Sequence, residues 1–306
     1  MIRYLGRRLL VTLPTLWLVT LVVFSMVRLL PGDPAETIAG LQATPELVAG
    51  LRQELGLDRP LAVQYWRFLA GLTRLDLGRS TMSRAPVVQE LLPRLPVSLT
   101  LAAASMGIAV AVGVLLGVVA ALRRRTWVDY LAMSVSVAGL STPTFVLGLL
   151  LILVLSVQWR LLPATGAASW WHYILPALTL GLPAAAVVAR MARSSLLEVL
   201  RQDFVRTAWA KGLSGRAVVV RHALRNALIP VITISGLQFG QLMGGAVVVE
   251  SVFGLPGLGK LLVDRVLGRD YPVIQGVVLV AACGFVLTNL VVDLVYSLVD
   301  PRIRHG

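Results

Sequence analysis

The sequence predicts an all-α integral membrane protein with six transmembrane helices. The chain is 57% hydrophobic and only 14% charged, whereas soluble domains carry about 25% charged residues. Its apolar residues are gathered into uncharged runs, most of which reach the roughly 20 residues that a helix needs to cross a bilayer. Its basic residues cluster between those runs, as in the cytoplasmic loops of membrane proteins rather than in nucleic-acid-binding proteins.

Six uncharged runs are the predicted spans. They cover residues 9–27, 95–122, 130–159, 173–189, 226–249 and 271–292. The first run follows three arginines, as a signal peptide does, but it is longer than a signal core and no small-residue cleavage site follows. We therefore predict an uncleaved span there. The fourth run follows an uncharged stretch rich in Pro, Gly, Trp and Ser, which predicts an outer loop.

Four basic segments predict the orientation. Arginines precede the first span, separate the second from the third, fill a long connector between the fourth and fifth, and follow the sixth. With six spans all four segments fall on one side, which the positive-inside rule assigns to the cytoplasm. Both termini are then cytoplasmic. Residues 1–94 form the first span with an outer segment, and residues 95–300 hold the other five spans.

The outer segment has its own helix signals. The sequence PGDP at 31–34 predicts a turn after the first span. Thr44 and Pro45 have the properties of an N-cap and a first helical residue, and Gly56 those of a helix end. A second helix is predicted over 61–72.

The connector at 190–228 is the segment that indicates a function. Between Arg190 and Arg225 it carries eight cations and two acids. Apolar residues recur at helical spacing over 195–210 and 216–226, and the sequence GLSG at 212–215 separates these two amphipathic helices. Such a helical hairpin is suited to docking a cytoplasmic partner. The same pattern also allows a hairpin that lies on anionic lipid.

Several motifs carry a resemblance to a known family. They are RTA at 206–208 followed by Gly212, HALRNALIP at 222–230, LPGDP at 30–34, ESVFGLPGLG at 250–259 and DYPVIQG at 270–276. The first resembles the EAA-x3-G motif of type I ABC-importer permeases. The others resemble the dipeptide, oligopeptide and nickel branch of that family. Arg206 replaces the usual glutamate and five extra residues follow Gly212, and both departures are usual in this branch.

The resemblance implies a fold, partners and site residues. The fold is that of a type I ABC importer permease in the cell inner membrane. The implied partners are a second homologous permease, two cytoplasmic ATPases and an extracytoplasmic solute-binding protein. The residues implied to couple the chain to an ATPase are Arg206, Thr207, Ala208, Lys211, Gly212 and Leu213. Ala208 and Gly212 are expected to let the partner approach the contact face closely, because neither has a large side chain. Gly212 could instead serve only as a helix C-cap.

The same resemblance implies transport by alternating access, driven by ATP in the partner ATPases. No cofactor is expected in this chain, because ATP and magnesium belong to those subunits. Relatives in this branch carry dipeptides, longer peptides, glutathione or chelated nickel. The sequence favours a di- or oligopeptide but does not select among these substrates.

Two other functional classes are weighed against this interpretation. A channel or secondary transporter that works without ATPases would need charged relays in its spans, where acids are scarce. An intramembrane hydrolase would need a buried serine–histidine pair, and none of the three histidines lies deep in a span. The segment from Gly254 to Lys260 resembles a phosphate-binding loop, but Leu261 stands where the magnesium-binding hydroxyl is required. The chain is therefore not expected to be an enzyme.

Polar residues inside the spans are costly and each needs a reason. Gln238 and Gln241 share one face of the fifth span and are candidates to line the translocation path. Hydrogen bonding between helices is the alternative. Asp293 lies near the cytoplasmic end of the sixth span, where Arg190 or Arg193 could neutralise it in a structural ion pair.

Overall fold

A computed structural model describes residues 2–29, 34–40 and 43–299. Among these, the side chains of residues 2–9, 27–29, 34, 37–38, 54–55 and 292–299 are not described. Most of the predicted turn at 31–34 and the basic tail after residue 299 lie outside the described residues. The regular secondary structure of the described residues is helical, and an isolated bridge joins Arg79 and Pro86.

The helices fall into an N-terminal group and a larger C-terminal group. The first group is α1 Ile2–Leu29, α2 Pro34–Ala39, α3 Pro45–Leu55, α4 Leu61–Thr73 and α5 Val87–Leu91. The second group is α6 Leu95–Leu122, α7 Trp127–Ser141, α8 Thr144–Leu151, α9 Ile174–Val199, α10 Asp203–Ala210, α11 Gly215–Ala217, α12 Leu224–Phe253, α13 Leu258–Leu267 and α14 Tyr271–Val299. Single stretches of π-helix, Ile152–Gln158 and Val218–Ala223, continue α8 and join α11 to α12.

Four helical segments of the described chain are long and apolar enough to cross a membrane. They are Val87–Leu122, Trp170–Val199, Gly215–Phe253 and Tyr271–Val291. The bent pair of α7 and α8 makes a fifth if it counts as one span. The described apolar part of α1, Leu10–Met26, is shorter. The all-helical membrane fold is confirmed, whereas the number six and the cytoplasmic position of both termini stay predictions.

The third predicted span is not one continuous helix, which corrects the sequence prediction. Two helices, Trp127–Ser141 and Thr144–Gln158, meet at an angle of 105°. The break lies at Pro143, which has no N–H to donate, and proline pushes the preceding residue out of the helical region. Thr142 accordingly has the extended angles φ −86° and ψ 123°. Apolar composition alone could not show this break.

The core of the bundle is a close approach of α6 and α9. A Cβ added to Gly113 would lie 2.7 Å from the Ala185 carbonyl oxygen, and one added to Gly181 would lie 2.7 Å from the Ser105 carbonyl oxygen. Small residues therefore bring the two backbones together, as in membrane helix pairs generally. Leu101, Leu175 and Phe253 are among the large side chains buried around this pair.

Polar contacts attach the outer segment to α13 and to Asp270, the residue before α14. Ser80 Oγ donates to the buried Asp270 carboxylate, whose other oxygen accepts from the Thr81 N–H at 3.0 Å. Arg265 of α13 binds Glu90 at 2.8 Å. The predicted caps of α3 are confirmed: Thr44 Oγ1 accepts from the Leu47 N–H, and Gly56 ends the helix in the left-handed conformation.

Candidate functional site

The connector forms a short helix, α10, that ends in a well-defined turn. The Gly212 N–H donates to the Trp209 carbonyl at 2.9 Å, and the Leu213 N–H donates to the Ala208 carbonyl at 3.4 Å. This pair of bonds is the Schellman motif, which places its glycine in the left-handed region. Gly212 has φ +76°. The C-cap role weighed for Gly212 from the sequence is therefore observed.

The helices of the connector differ from the predicted ones at both ends. The first predicted helix, 195–210, is interrupted, because α9 ends at Val199 and Gln202 is extended before α10 begins. The second is not a separate helix, since α11 and the π-helical stretch run without a break into α12. Ser214 caps this long helix, its Oγ accepting from the Ala217 N–H at 3.4 Å. Ser214 is therefore the N-cap of this helix.

An apolar cluster holds α10 against the bundle. Val205 and Ala208 of α10 are buried against residues of α6, α9 and the start of α12. The other buried members of this connector cluster are Ala121, Leu196, Val199, Val218, Ala223 and Ala227. The Ala208 side chain thus packs inward, which corrects the expectation that it lies on the contact face. Its small size serves packing within the chain.

The rest of α10 and the turn after it expose cations and large apolar groups. Arg206, Thr207, Lys211, Gly212 and Leu213 are all exposed, so five of the six predicted coupling residues lie on this exposed surface. Phe204 and Trp209 are also exposed, at 40% and 52%. We call these seven residues the connector face. Exposed aromatic residues beside arginine are typical of interface anchors.

Two details of the connector face were not predicted from the sequence. A Cβ added to Gly215 would lie 3.1 Å from the Trp209 ring, so Gly215 makes room for the indole at the start of the second helix. Arg206 forms an ion pair with Asp203 at 3.2 Å, but both side chains are largely exposed, at 75% and 94%. Such a pair is weak, and the guanidinium stays accessible to a partner.

Arg193 of α9 pairs with Asp129 in the first turn of α7. Arg193 Nε donates to Asp129 Oδ1 at 2.6 Å and its NH2 group donates to Oδ2 at 2.8 Å. The Arg125 N–H also donates to Oδ2, at 3.0 Å. The Asp129 side chain is only 4% exposed. Sequence reasoning missed this pair, although an acid four residues after a run of three arginines was a usable signal.

The ion pair predicted between Asp293 and Arg190 stays a prediction. The Asp293 side chain lies outside the described residues. Arg190 is exposed on α9. Arg193, the other candidate partner of Asp293, forms an ion pair with Asp129 instead.

Gln238 and Gln241 both lie on α12. Gln241 is exposed and Gln238 is half-buried. Neither residue lines the apolar cavity of about 940 Å³ that lies between α1, the outer segment, α6, α12 and α14. The described chain therefore leaves Gln241 uncovered and covers Gln238 in part.

The segment that resembles a phosphate-binding loop is organised around Glu250. Its carboxylate accepts from the Gly259 N–H at 2.7 Å, the Lys260 N–H at 3.1 Å and Ser98 Oγ at 2.5 Å. The Glu250 side chain is fully buried. Backbone amides that a phosphate would use are thus occupied by a carboxylate of the same chain.

A serine–histidine contact does occur in the loop before α9. Ser169 Oγ lies 3.0 Å from His172 Nδ1, and the Ser169 N–H donates to the same nitrogen at 3.2 Å. The pair is exposed and forms a capping box on the short 3₁₀ helix Trp170–Tyr173. It is a turn feature rather than the buried pair that an intramembrane hydrolase needs.

Comparisons with known proteins define the class. The family described as the binding-protein-dependent transport system inner membrane component matches residues 113–305, and the family of its N-terminal region matches residues 1–102. The chain belongs to this family and is a multi-pass permease subunit of the inner membrane. The resemblance to ABC-importer permeases that the sequence motifs showed is confirmed.

Individual relatives narrow the class further. The chain is 50% identical over 305 residues to the glutathione transport system permease protein GsiC of Escherichia coli O6:H1, with 100% of both chains covered. It is 51% identical to the protein of the same name from Salmonella paratyphi A, also over 100% of both. Among solved structures, the MetNI methionine ABC transporter in an inward-facing conformation aligns with TM-score 0.61 at 18% identity, covering 70% of this chain and 97% of that one. That likeness supports the fold alone.

Proposed function

We propose that this permease docks cytoplasmic ATPases through the connector face and imports a small peptide. The observation that carries the proposal is the connector face itself. It presents Arg206, Lys211 and two aromatic residues on a helix whose other side is fixed to the bundle by Val205 and Ala208. A surface that carries exposed aromatic and basic groups and is anchored to the bundle is suited to receive force from a partner rather than only to rest on lipid.

The number of subunits in the transporter is part of the same proposal. One connector face provides one docking site, and the pathway needs a second set of spans. We propose a homologous permease as that second half, with one ATPase on each connector, and a solute-binding protein on the opposite side. ATP and magnesium bind in the ATPases. This chain supplies no ATPase site, a proposal supported by the Glu250 carboxylate that occupies the amides of Gly259 and Lys260.

Glutathione is the first substrate to test. The relatives that share half of their residues with this chain over its full length are named for glutathione transport. Glutathione is a small peptide, which agrees with the di- or oligopeptide that the sequence favoured. We propose that Gln238 and Gln241, whose amides can donate and accept hydrogen bonds, line the path in the assembled pair of permeases.

Gly212→Glu tests the docking proposal. A Cβ at Gly212 meets nothing within 4 Å in this chain, so a glutamate there would obstruct only a partner. We expect the variant to reach the membrane in normal amounts, to lose co-purifying ATPases and to lose uptake. The measurement is affinity purification in mild detergent, with mass spectrometry of the bound proteins.

Two controls separate backbone strain from obstruction. Gly78 also has a positive φ, +81°, with open space around it, and Gly78→Glu should leave ATPase association intact. Gly212→Ala adds the strain of a left-handed alanine, about 1–2 kcal/mol, without the bulk, and should retain most of the association. Undiminished ATPase association and uptake in Gly212→Glu would contradict the docking proposal. If the wild-type chain is purified alone while other complexes from the same membranes stay intact in the detergent, the result would favour a channel or secondary transporter.

The substrate proposal is tested separately. Membrane vesicles that contain the complete transporter should take up labelled glutathione when ATP is supplied on the side of the membrane that holds the ATPases. The solute-binding protein and the labelled glutathione are added on the opposite side. Replacing both Gln238 and Gln241 by leucine should lower the uptake rate without loss of ATPase association. An unchanged rate and substrate profile in the double variant would remove these glutamines from the path.

A further inference from the structure

We propose that the Asp129–Arg193 ion pair links the connector to the broken helix pair α7–α8, so that movement of the docked connector is transmitted to those helices. Asp129 and Arg193 would be positioning residues for transport. The inference rests on the proposed docking function, since it assigns the path by which force applied at the connector face reaches the spans.

The first step is that α9 and the connector move together. The buried side chains of Leu196 and Val199, at the end of α9, pack in the same cluster as Val205 and Ala208 of α10. Arg193 lies six residues before the end of α9, about 9 Å along its axis. A displacement of α10 is therefore delivered to the helix turn that carries Arg193.

The second step is that α7, which packs against α6 and α9, has its buried polar contact to a neighbouring helix at this end. Only Asp129 and Ser136 are buried among the residues of α7. Ser136 Oγ donates to the Ala132 carbonyl of its own helix, so it makes no polar bond to a neighbour. The apolar side chains Leu131, Val135 and Val137 are more than half exposed. The Asp129 carboxylate is thus the main buried polar attachment of α7.

The third step concerns the geometry of the attachment. Two parallel N–H···O bonds from one guanidinium fix both distance and orientation, and a charge-assisted pair that is shielded from water is stronger than an exposed one. The Arg125 N–H adds a bond from the loop that leads into α7. A link of this kind transmits rotation as well as translation, which a single apolar contact would not.

The fourth step is where the movement goes. Beyond the 105° bend, α8 packs against α9 and α12, and a Cβ added to Gly148 would lie 3.1 Å from the Phe253 ring at the far end of α12. Because α7 and α8 join through the short break at Thr142 and Pro143, a change in the angle between them is the soft motion available. Movement at Asp129 is thereby passed through α8 to the C-terminal end of α12, where Gly148 meets Phe253.

The experiment uses the complete transporter with a reporter beside the bend. Ser141, exposed at the end of α7, is replaced by cysteine in a chain whose one native cysteine is removed by Cys283→Ala. The maleimide labelling rate at position 141 is compared with and without ATP and vanadate, which trap the ATPases. ATP hydrolysis by the same preparations is measured in parallel.

We expect trapping to change the labelling rate several-fold in the parent transporter. Asp129→Asn and Arg193→Lys should reduce that change to less than half while ATPases remain bound and ATP hydrolysis continues. The charge exchange Asp129→Arg with Arg193→Asp should recover part of it. Asp264→Asn is the control, because it breaks an exposed ion pair with Lys260 on α13 and should leave the response unchanged.

The outcomes separate this inference from the docking proposal. An unaltered labelling response in Asp129→Asn, or no response in a parent that binds ATPases, would overturn the transmitting role. Loss of ATPase binding together with the response in both single variants would show a purely structural pair and would also overturn it. A parent that binds no ATPase at all would instead refute the docking proposal.

Discussion

At the scale of single residues, Glu250 shows how one buried carboxylate organises a loop. It is fully buried and satisfied by three donors, two of them backbone amides at the start of α13. Ser98 Oγ, which donates to Glu250, also accepts from the Leu258 N–H at 2.9 Å. Ser98 of α6 and Glu250 of α12 thereby fix the N-terminus of α13. The glycines at 257 and 259 leave room for the carboxylate rather than for a phosphate.

Replacing this carboxylate should be costly. Glu250→Ala leaves the amides of Gly259 and Lys260 without a partner in a buried site, and each unsatisfied group costs about 1–3 kcal/mol. We expect a clearly lower midpoint of thermal unfolding for the purified transporter in detergent. Ser251→Ala, at the exposed neighbouring position, should stay within about 0.5 kcal/mol of the parent. Equal midpoints for the two variants would contradict this role of Glu250.

At the scale of elements, the α6–α9 pair depends on positions where no side chain fits. A Cβ at Gly117 would lie 2.5 Å from the Ala189 carbonyl oxygen and 2.7 Å from the Ala192 Cβ. Gly107, on the same helix, has nothing within 4 Å of its Cβ position. Apolar composition does not tell the two glycines apart, because both stand in the long apolar helix α6. Packing gives them different roles.

The two positions offer a matched comparison. Gly117→Val should separate α6 from α9 and destabilise the chain by about 1–3 kcal/mol, the usual cost of overpacking. Gly107→Val should be nearly neutral, since valine has a better helix propensity than glycine. The yield of folded transporter from the membrane and its midpoint of thermal unfolding report the difference. A stable, fully active Gly117→Val variant would show that the two helices can move apart freely.

At the scale of the whole molecule, the topology depends on whether α7 and α8 cross the bilayer together. If they form one broken span, α6 and this span bring the loop before α9 back to the side of the outer segment. If they form a re-entrant pair, the loop before α9 lies on the side opposite the outer segment. Since the outer segment is attached to α13 and α14 through Asp270 and Arg265, its side is fixed relative to the ends of those helices.

Cysteine labelling in intact cells resolves this topology. In a chain with Cys283→Ala, we expect a membrane-impermeant maleimide to label Arg59→Cys and Ala168→Cys from outside, and to label Lys211→Cys only after the cells are opened. All three positions are exposed. External labelling at 168 supports six spans with cytoplasmic termini. Labelling of Arg59→Cys and Ala168→Cys from opposite sides of the membrane would make α7–α8 a re-entrant pair.

The sequence by itself determined the class of this protein and most of its helices. Uncharged runs of the length of a bilayer leave helices as the structure that satisfies every backbone group in lipid, and α6 has the predicted bounds 95–122. Local signals also sufficed for the cap at Thr44, the helix end at Gly56 and the turn at Gly212, because capping depends on residues within one turn. The motifs along the chain indicated the family for the same reason: they are read directly from the order of residues.

Only the tertiary structure decided which residues meet. Asp129 and Arg193 lie 64 residues apart in the chain, and Glu250 and Ser98 lie 152 apart. Apolar patterns could not assign such partners, because every face of a helix in lipid can be apolar and periodicity no longer marks the buried side. Pro143 was a local signal for the break between α7 and α8, but only the folded chain shows the 105° angle across it. The inward position of Ala208 was not predicted, because it depends on how neighbouring helices pack, and that packing is a property of the folded chain.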